Sequence, residues 1–286
     1  MDVMEDHDDF GGLHRDLLAT GAVMNRRGML RLASRFGLGA SALALLGCDG
    51  KNPTSPTTTT TDTTTTTTTT GGSGGTTTSC MTKVPEETNG PYPADGSNGV
   101  SVLGTTGVVR SDIRSSFGGL SGTAAGIPLV VQLTLVSAST CSPLSGRAVY
   151  IWHCDRGGNY SLYSQAAVSQ NYLRGIQECD ASGRVSFVSI FPACYSGRWP
   201  HIHFEVYPSV ATATSAANRQ ATSQIALPKD VCDAVYATSG YEASVRNLSQ
   251  VSLATDNVFS DGSSLELATV TGSVAGGYTA VLTVAV

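Results

Sequence analysis

Charge is scarce in this chain. Of its 286 residues only 14% are Asp, Glu, Lys or Arg, and the net charge is −5. No stretch of Lys and Arg forms a basic patch, which excludes nucleic acid as a partner. No apolar run reaches the roughly 18–20 residues that a spanning helix needs. No two cysteines stand in a C-x2-C pair, which argues against a structural zinc site. Histidine is rare too. Five occur, and only His153, His201 and His203 lie beyond the first fourteen residues. What is plentiful is Gly and Thr. Low charge with abundant small and β-favouring residues predicts a β-rich extracytoplasmic protein.

The first 47 residues read as an export signal. Adjacent Arg26 and Arg27 precede an apolar stretch from Phe36 to Leu46, too short to span a membrane and broken by Gly37 and Gly39. It ends Leu45-Leu46-Gly47-Cys48, which resembles a lipobox whose Cys carries the lipid, and the paired arginines resemble a twin-arginine signal. A bacterial lipoprotein, held at the outer face of a membrane through Cys48, is the expected location. Residues 48–79 hold the runs Thr57–Thr61 and Thr63–Thr70 and the cluster Gly71-Gly72-Ser73-Gly74-Gly75. Such a composition cannot bury a core and predicts a disordered tether.

Residues 80–286 are enough for one domain. Leu129–Val136, Ala148–Trp152, Arg184–Ile190, His201–Tyr207 and Tyr278–Val286 read as strands separated by Gly/Asn/Asp/Ser turns. Lys229–Ala237, opened by Pro228, reads as the one clear helix. The expected fold is all-β, an antiparallel sandwich with long functional loops and at most one or two short helices. Six cysteines in it, Cys80, Cys141, Cys154, Cys179, Cys194 and Cys232, predict up to three disulfides, with no pairing favoured.

His201-Ile202-His203 carries the chemical signal. Residues two apart on a strand share a face, so the two imidazoles converge while Ile202 and Phe204 turn to the core. A cupin would need a nearby Glu and a later His, and no His follows His203. A three-histidine zinc site would have to recruit His153, for which a packed, hydrogen-bonded role is equally plausible. Tyr160, after the glycine turn Gly157-Gly158, and Tyr195, six residues before His201, offer oxygen donors instead. A phenol with its free pKa near 10 needs a strong Lewis acid to ionise at neutral pH. Ferric iron does this, and two phenolates with two neutral imidazoles leave Fe(III) one net positive charge.

From about Glu87 onward the chain resembles the intradiol ring-cleavage dioxygenases, their exported branch most closely. The matching blocks are Glu87-Thr88-Asn89-Gly90-Pro91-Tyr92, Arg110-Ser111-Asp112-Ile113-Arg114, Ile151-Trp152-His153-Cys154-Asp155, Asn159-Tyr160-Ser161, Leu173-Arg174-Gly175 and Tyr195-Ser196-Gly197-Arg198 leading to His201-Ile202-His203-Phe204. The resemblance implies a β-sandwich holding Fe(III) through Tyr160 and His201 as equatorial ligands and Tyr195 and His203 as axial ones. It implies Arg198 and Gln224 as active-site residues, with Tyr195 leaving the metal when substrate binds. It also implies a reaction: an aromatic diol and O2 give a cis,cis-muconate-type dicarboxylate. One departure stands out. Ala193-Cys194 replaces the usual Gly-Trp before the second tyrosine, so a disulfide at Cys194 would tie down the Tyr195 loop. The soluble enzymes' helical dimerisation region has no counterpart, which leaves the oligomeric state open. A competing reading from a different class is a cell-surface module of the same fold that binds aromatic or polysaccharide material without turnover. A purely structural β-domain on a Thr-rich stalk is a third.

Overall fold

The computed structural model describes residues 80–286, so the expected signal, Cys48 and the Thr-rich tether lie outside the described residues. Eight strands form two four-stranded sheets. They are β1 (Pro128–Val136), β2 (Ala148–Trp152), β3 (Arg174–Glu178), β4 (Arg184–Ile190), β5 (His201–Tyr207), β6 (Ala221–Ala226), β7 (Thr269–Ser273) and β8 (Gly277–Ala285). One sheet has the order β4-β1-β8-β7 and the other β3-β2-β5-β6. Two short helices follow β6, α1 (Lys229–Tyr236) and α2 (Glu242–Leu248). Among the described residues no helix is long and apolar enough to cross a membrane.

Alternation of side chains explains how the sheets pack. Along β1, Leu129, Val131, Leu133 and Leu135 are buried, while the residues between them are partly exposed. They share one core cluster with Val149 and Ile151 of β2, Phe187 of β4, and Ile202, Phe204 and Val206 of β5. The sandwich expected from the sequence is therefore present. One pairing differs from the all-antiparallel expectation: β8 runs parallel to β1, with Leu129 opposite Tyr278 and Leu135 opposite Val284. The whole second sheet and both helices separate these two strands in sequence, so they can meet in parallel.

The β3-β2-β5-β6 sheet is buried on both faces, and this places the site. Every residue of β2, β5 and β6 is buried. One face meets the other sheet. The other carries Tyr150 and Trp152 of β2 and Tyr207 of β5, which cluster with Ala94, Val102, Leu103, Val108, Phe117 and Tyr160. Those partners come mostly from residues 94–117, which precede the first strand. The long N-terminal segment thus acts as a third layer over the face bearing His201 and His203.

Of the up to three disulfides expected, one is present among the described residues. Cys80 and Cys141 form a disulfide, but Cys154, Cys179, Cys194 and Cys232 are buried free thiols. They serve as small packing groups. Cys154 Sγ lies 3.6 Å from the Ala193 carbonyl and Cys194 Sγ 3.4 Å from that of Arg198. The Tyr195 loop is therefore held by hydrogen bonds to α2 rather than by a disulfide. Ser244 Oγ accepts from Cys194 N at 3.0 Å, and Asn247 Nδ2 donates to Cys194 O at 2.8 Å. The Cys80–Cys141 disulfide closes a loop of separation 61 and anchors the start of the domain, where Met81 N donates to Ala138 O and Val84 N to Ala285 O. In the chain-entropy account, opening a loop of that size costs about 4 kcal/mol. Cys80→Ser/Cys141→Ser is expected to lower the unfolding free energy from urea titration by about 4 kcal/mol at unchanged secondary structure, as read by far-ultraviolet dichroism.

Candidate metal centre

The two histidines come from β5, whose register pins them. Trp152 on β2 stands opposite His203, as does Gln224 on β6, while His201 pairs with Ala226. His201 is 2% exposed and His203 3%. His201 Nδ1 lies 2.5 Å from the Trp199 carbonyl, so it carries the proton and leaves Nε2 as the lone-pair nitrogen. His203 is oriented differently. Its ring stacks on Trp152 at 4.8 Å with a 6° tilt, and its Nδ1 has no hydrogen-bond partner among the described residues.

The tyrosines arrive on loops. Tyr160 follows β2 through a turn in which Asp155 Oδ1 accepts from Gly157 N and Asn159 N. Gly158 has φ +86, a backbone conformation that favours glycine, and sits where a Cβ would just touch Tyr195 Cβ at 3.4 Å. Ser164 Oγ accepts from Tyr160 N at 2.9 Å. Behind the next residue lies Arg174, fully buried, which donates to Ser161 Oγ at 3.0 Å, Ser161 O at 2.9 Å and Pro93 O at 3.0 Å. Arg174 matches a sequence block of the resemblance, yet the sequence shows nothing of this brace. Leu162 and Leu173, near the ends of the adjoining loop, sit at φ +72 and +57, a left-handed backbone that branched side chains rarely adopt. Gly90, φ +67, brings the N-terminal segment against His203, where a Cβ would lie 3.4 Å from Cε1.

The four side chains meet at one point. His201 Nε2 lies 3.3 Å from Tyr160 Oη, 3.3 Å from Tyr195 Oη and 3.1 Å from His203 Nε2. A single lone pair cannot satisfy three neighbours at once. Donors held about 2.0–2.1 Å from a shared ion at roughly 90–110° stand about 2.9–3.4 Å apart. The donor set therefore fits one metal ion, and hard phenolic oxygens with imidazole nitrogens suit a ferric one. Tyr160 is almost fully buried, whereas Tyr195 is partly exposed. His153 stands apart from this set. Its Nε2 lies 2.6 Å from Ser189 Oγ and its Nδ1 2.7 Å from the Cys154 carbonyl, a packed and satisfied role.

Electrostatics keep Tyr160, His201 and His203 neutral until a cation arrives. Burial, then the neighbouring Tyr195, pushes the Tyr160 phenol well above its ordinary value. Burial, and next Arg198 for His201 and His201 for His203, holds both imidazoles well below theirs. Burial, opposed by the Cys154 carbonyl and helped by Arg174, brings His153 down to about 4. The sign of the stability effect follows. These histidines stabilise fully above the unfolded value near 6.5. As pH falls below it the unfolded chain takes protons first, and each buried imidazole loses about 1.4 kcal/mol per pH unit down to its folded pKa. Metal-free protein is expected to show a much lower urea midpoint at about pH 5 than at about pH 7.

Arg198, 3% exposed, adds a fixed cation. Its Nε donates to Asp256 Oδ2 at 3.0 Å and its Nη2 to Gln224 Oε1 at 2.6 Å. Burial works against its charge, but Tyr195 and Asp256 outweigh burial and raise its pKa. Gln224 Nε2 donates in turn to Thr88 O at 2.9 Å, so the residue read from Thr222-Ser223-Gln224-Ile225 does reach the site. A polar cavity of about 690 Å³ lined by Asp95, Ser97, Ser215 and Arg219 contains none of these donors.

Comparison with known proteins agrees with this geometry. A family model described as Dioxygenase matches residues 114–230. No curated protein matches the chain in sequence. An intradiol ring-cleavage dioxygenase from Tetranychus urticae is 24% identical, with TM-score 0.56 over 71% of this chain and 94% of that one. A dioxygenase designated Tetur07g02040 is 25% identical, with TM-score 0.57 over 72% and 94%. In the segment matched by the family model and in its two-sheet fold, the chain is thus similar to the intradiol ring-cleavage dioxygenases, and the resemblance read from its sequence is borne out.

Proposed function

We propose that this chain is a non-haem Fe(III) intradiol dioxygenase that cleaves a catechol-type diol with O2 to a cis,cis-muconate-type dicarboxylate. The observation that carries the reading is the convergence of Tyr160, Tyr195 and His203 on Nε2 of His201 at 3.1–3.3 Å. When bound, ferric iron would act as Lewis acid and template, withdrawing charge from the diol, which supplies the electrons that reduce O2. The protein does the rest. His201, fixed by the Trp199 carbonyl, and His203, fixed by Trp152, hold two neutral nitrogens in place. Tyr160 supplies a buried phenolic oxygen. Tyr195 Oη, the more exposed donor, would as the phenolate accept a proton from the incoming diol. Arg198, held by Asp256 and Gln224, faces the negative charge that develops on oxygen. The N-terminal layer around Gly90 and Tyr92, whose ring lies 4.9 Å from that of Tyr160, keeps water out.

We further propose that the protein is exported and lipid-anchored through Cys48. The Cys80–Cys141 disulfide supports an oxidising compartment. The functional test is O2 uptake by iron-loaded protein across catechol, protocatechuate, hydroxyquinol and lignin-derived catechols. Uptake with release of a dicarboxylate opened between the two hydroxyl-bearing carbons is expected from at least one. Iron-loaded protein that binds these diols without consuming O2 is a binding module instead.

A further inference from the structure

Arg198 takes its orientation from a residue distant in sequence. Asp256 lies in the loop after α2 and is fully buried. Its Oδ1 accepts from Val258 N at 2.8 Å and Phe259 N at 3.1 Å, which locks the carboxylate within its own loop. Its Oδ2 accepts from Arg198 Nε at 3.0 Å and Trp199 N at 2.6 Å. The same oxygen therefore grips both the guanidinium and the backbone between Tyr195 and His201. On the guanidinium's other arm, Nη2 is held by Gln224 Oε1 at 2.6 Å. A planar fork bound at Nε and at Nη2 cannot roll about its long axis, so the edge it presents is fixed. The carboxylate also compensates a buried cation that would otherwise be costly to desolvate.

We propose that Asp256 is the positioning residue for Arg198: its carboxylate sets the plane and the charge balance of the guanidinium next to the two phenols. The inference rests on the dioxygenase reading for its kinetic consequence but not for its binding consequence. Asp256→Asn keeps the shape and one acceptor oxygen but removes the charge. Its kcat is expected to fall on the order of 10²-fold, the scale of an ångström-sized misplacement of a reacting group, with KM little changed. In an Arg198→Ala background the same change is expected to cost no further kcat, because the group it positions is gone.

A second arm uses iron-free protein. Arg198→Ala leaves a guanidinium-shaped space beside Asp256, and dilute guanidinium chloride is expected to raise its melting temperature relative to sodium chloride. Arg198→Ala/Asp256→Asn is expected to lose that response. If Asp256→Asn does not fold, Asp256→Glu is the substitute. It keeps the charge but shifts it by a methylene, and should keep the guanidinium response while losing kcat. Wild-type kcat in Asp256→Asn or Asp256→Glu, additive losses in the double variant, or an undiminished guanidinium response without the carboxylate would each overturn the assignment. If no catechol is turned over by any form, the dioxygenase reading fails, and the guanidinium arm still decides the role of Asp256.

Discussion

Tyr160→Phe is expected to cut turnover on the order of 10³-fold or more, as loss of an anionic donor weakens both the hold on ferric iron and its Lewis acidity. The substitution is nearly isosteric. The ring keeps its contacts with Tyr92 at 4.9 Å and Tyr195 at 5.9 Å. What disappears is one hydroxyl, nearly fully buried, 3.3 Å from His201 Nε2. In metal-free protein that hydroxyl contributes little, because a shared acceptor and a desolvated phenol offset each other. Metal-free stability should therefore stay close to wild type while iron affinity falls. Equilibrium dialysis against a ferric chelate and urea unfolding of the metal-free form separate the two effects. A variant with wild-type iron affinity would remove Tyr160 from the metal site.

Arg198→Ala is expected to lower kcat by about 10²–10³-fold, the usual cost of removing a preorganised group that meets developing negative charge. It should also destabilise the fold by about 3–5 kcal/mol, because Asp256 is left as a buried carboxylate without its cation. Arg198→Lys makes the distinction sharper. An ammonium can return charge to Asp256 but cannot offer the planar fork that serves Asp256 Oδ2 and Gln224 Oε1 together. Much of the stability should return and little of the turnover. Steady-state kinetics beside urea unfolding reads both. Equal recovery of stability and turnover in the lysine variant would make Arg198 a simple counter-charge.

How much of this was legible beforehand depends on how local each signal is. Strand β5 was plain because apolar and polar residues alternate in His201–Tyr207, and the same alternation put both imidazoles on one side. β1, β2, β4 and β8 were legible from their richness in β-branched and apolar residues, and α1 from its opening proline. Strand β6, Ala-Thr-Ser-Gln-Ile-Ala, carries no such pattern and is a strand because β5 offers it an edge. β3 and β7 depend on their neighbours likewise, and the parallel contact of β8 with β1 on the path of the whole chain. Tyr160 and Tyr195 rested mainly on the resemblance, since a tyrosine in a turn has no spacing rule. Asp256 was missed entirely. It sits in an irregular loop with no motif, and only the fold carries it to Arg198. Cysteine count gave only an upper limit on disulfides, because four of the six cysteines in residues 80–286 are buried free thiols used in packing.

The central claim is that two phenols and two imidazoles form one ferric site. Ferric titration of the metal-free wild-type protein, followed in the visible range and by metal analysis, tests it most directly. The account predicts saturation at one iron per chain, with a phenolate-to-iron charge-transfer band that grows in step with binding. Protein that stays colourless and iron-free after titration, or that binds iron without that band, would contradict it.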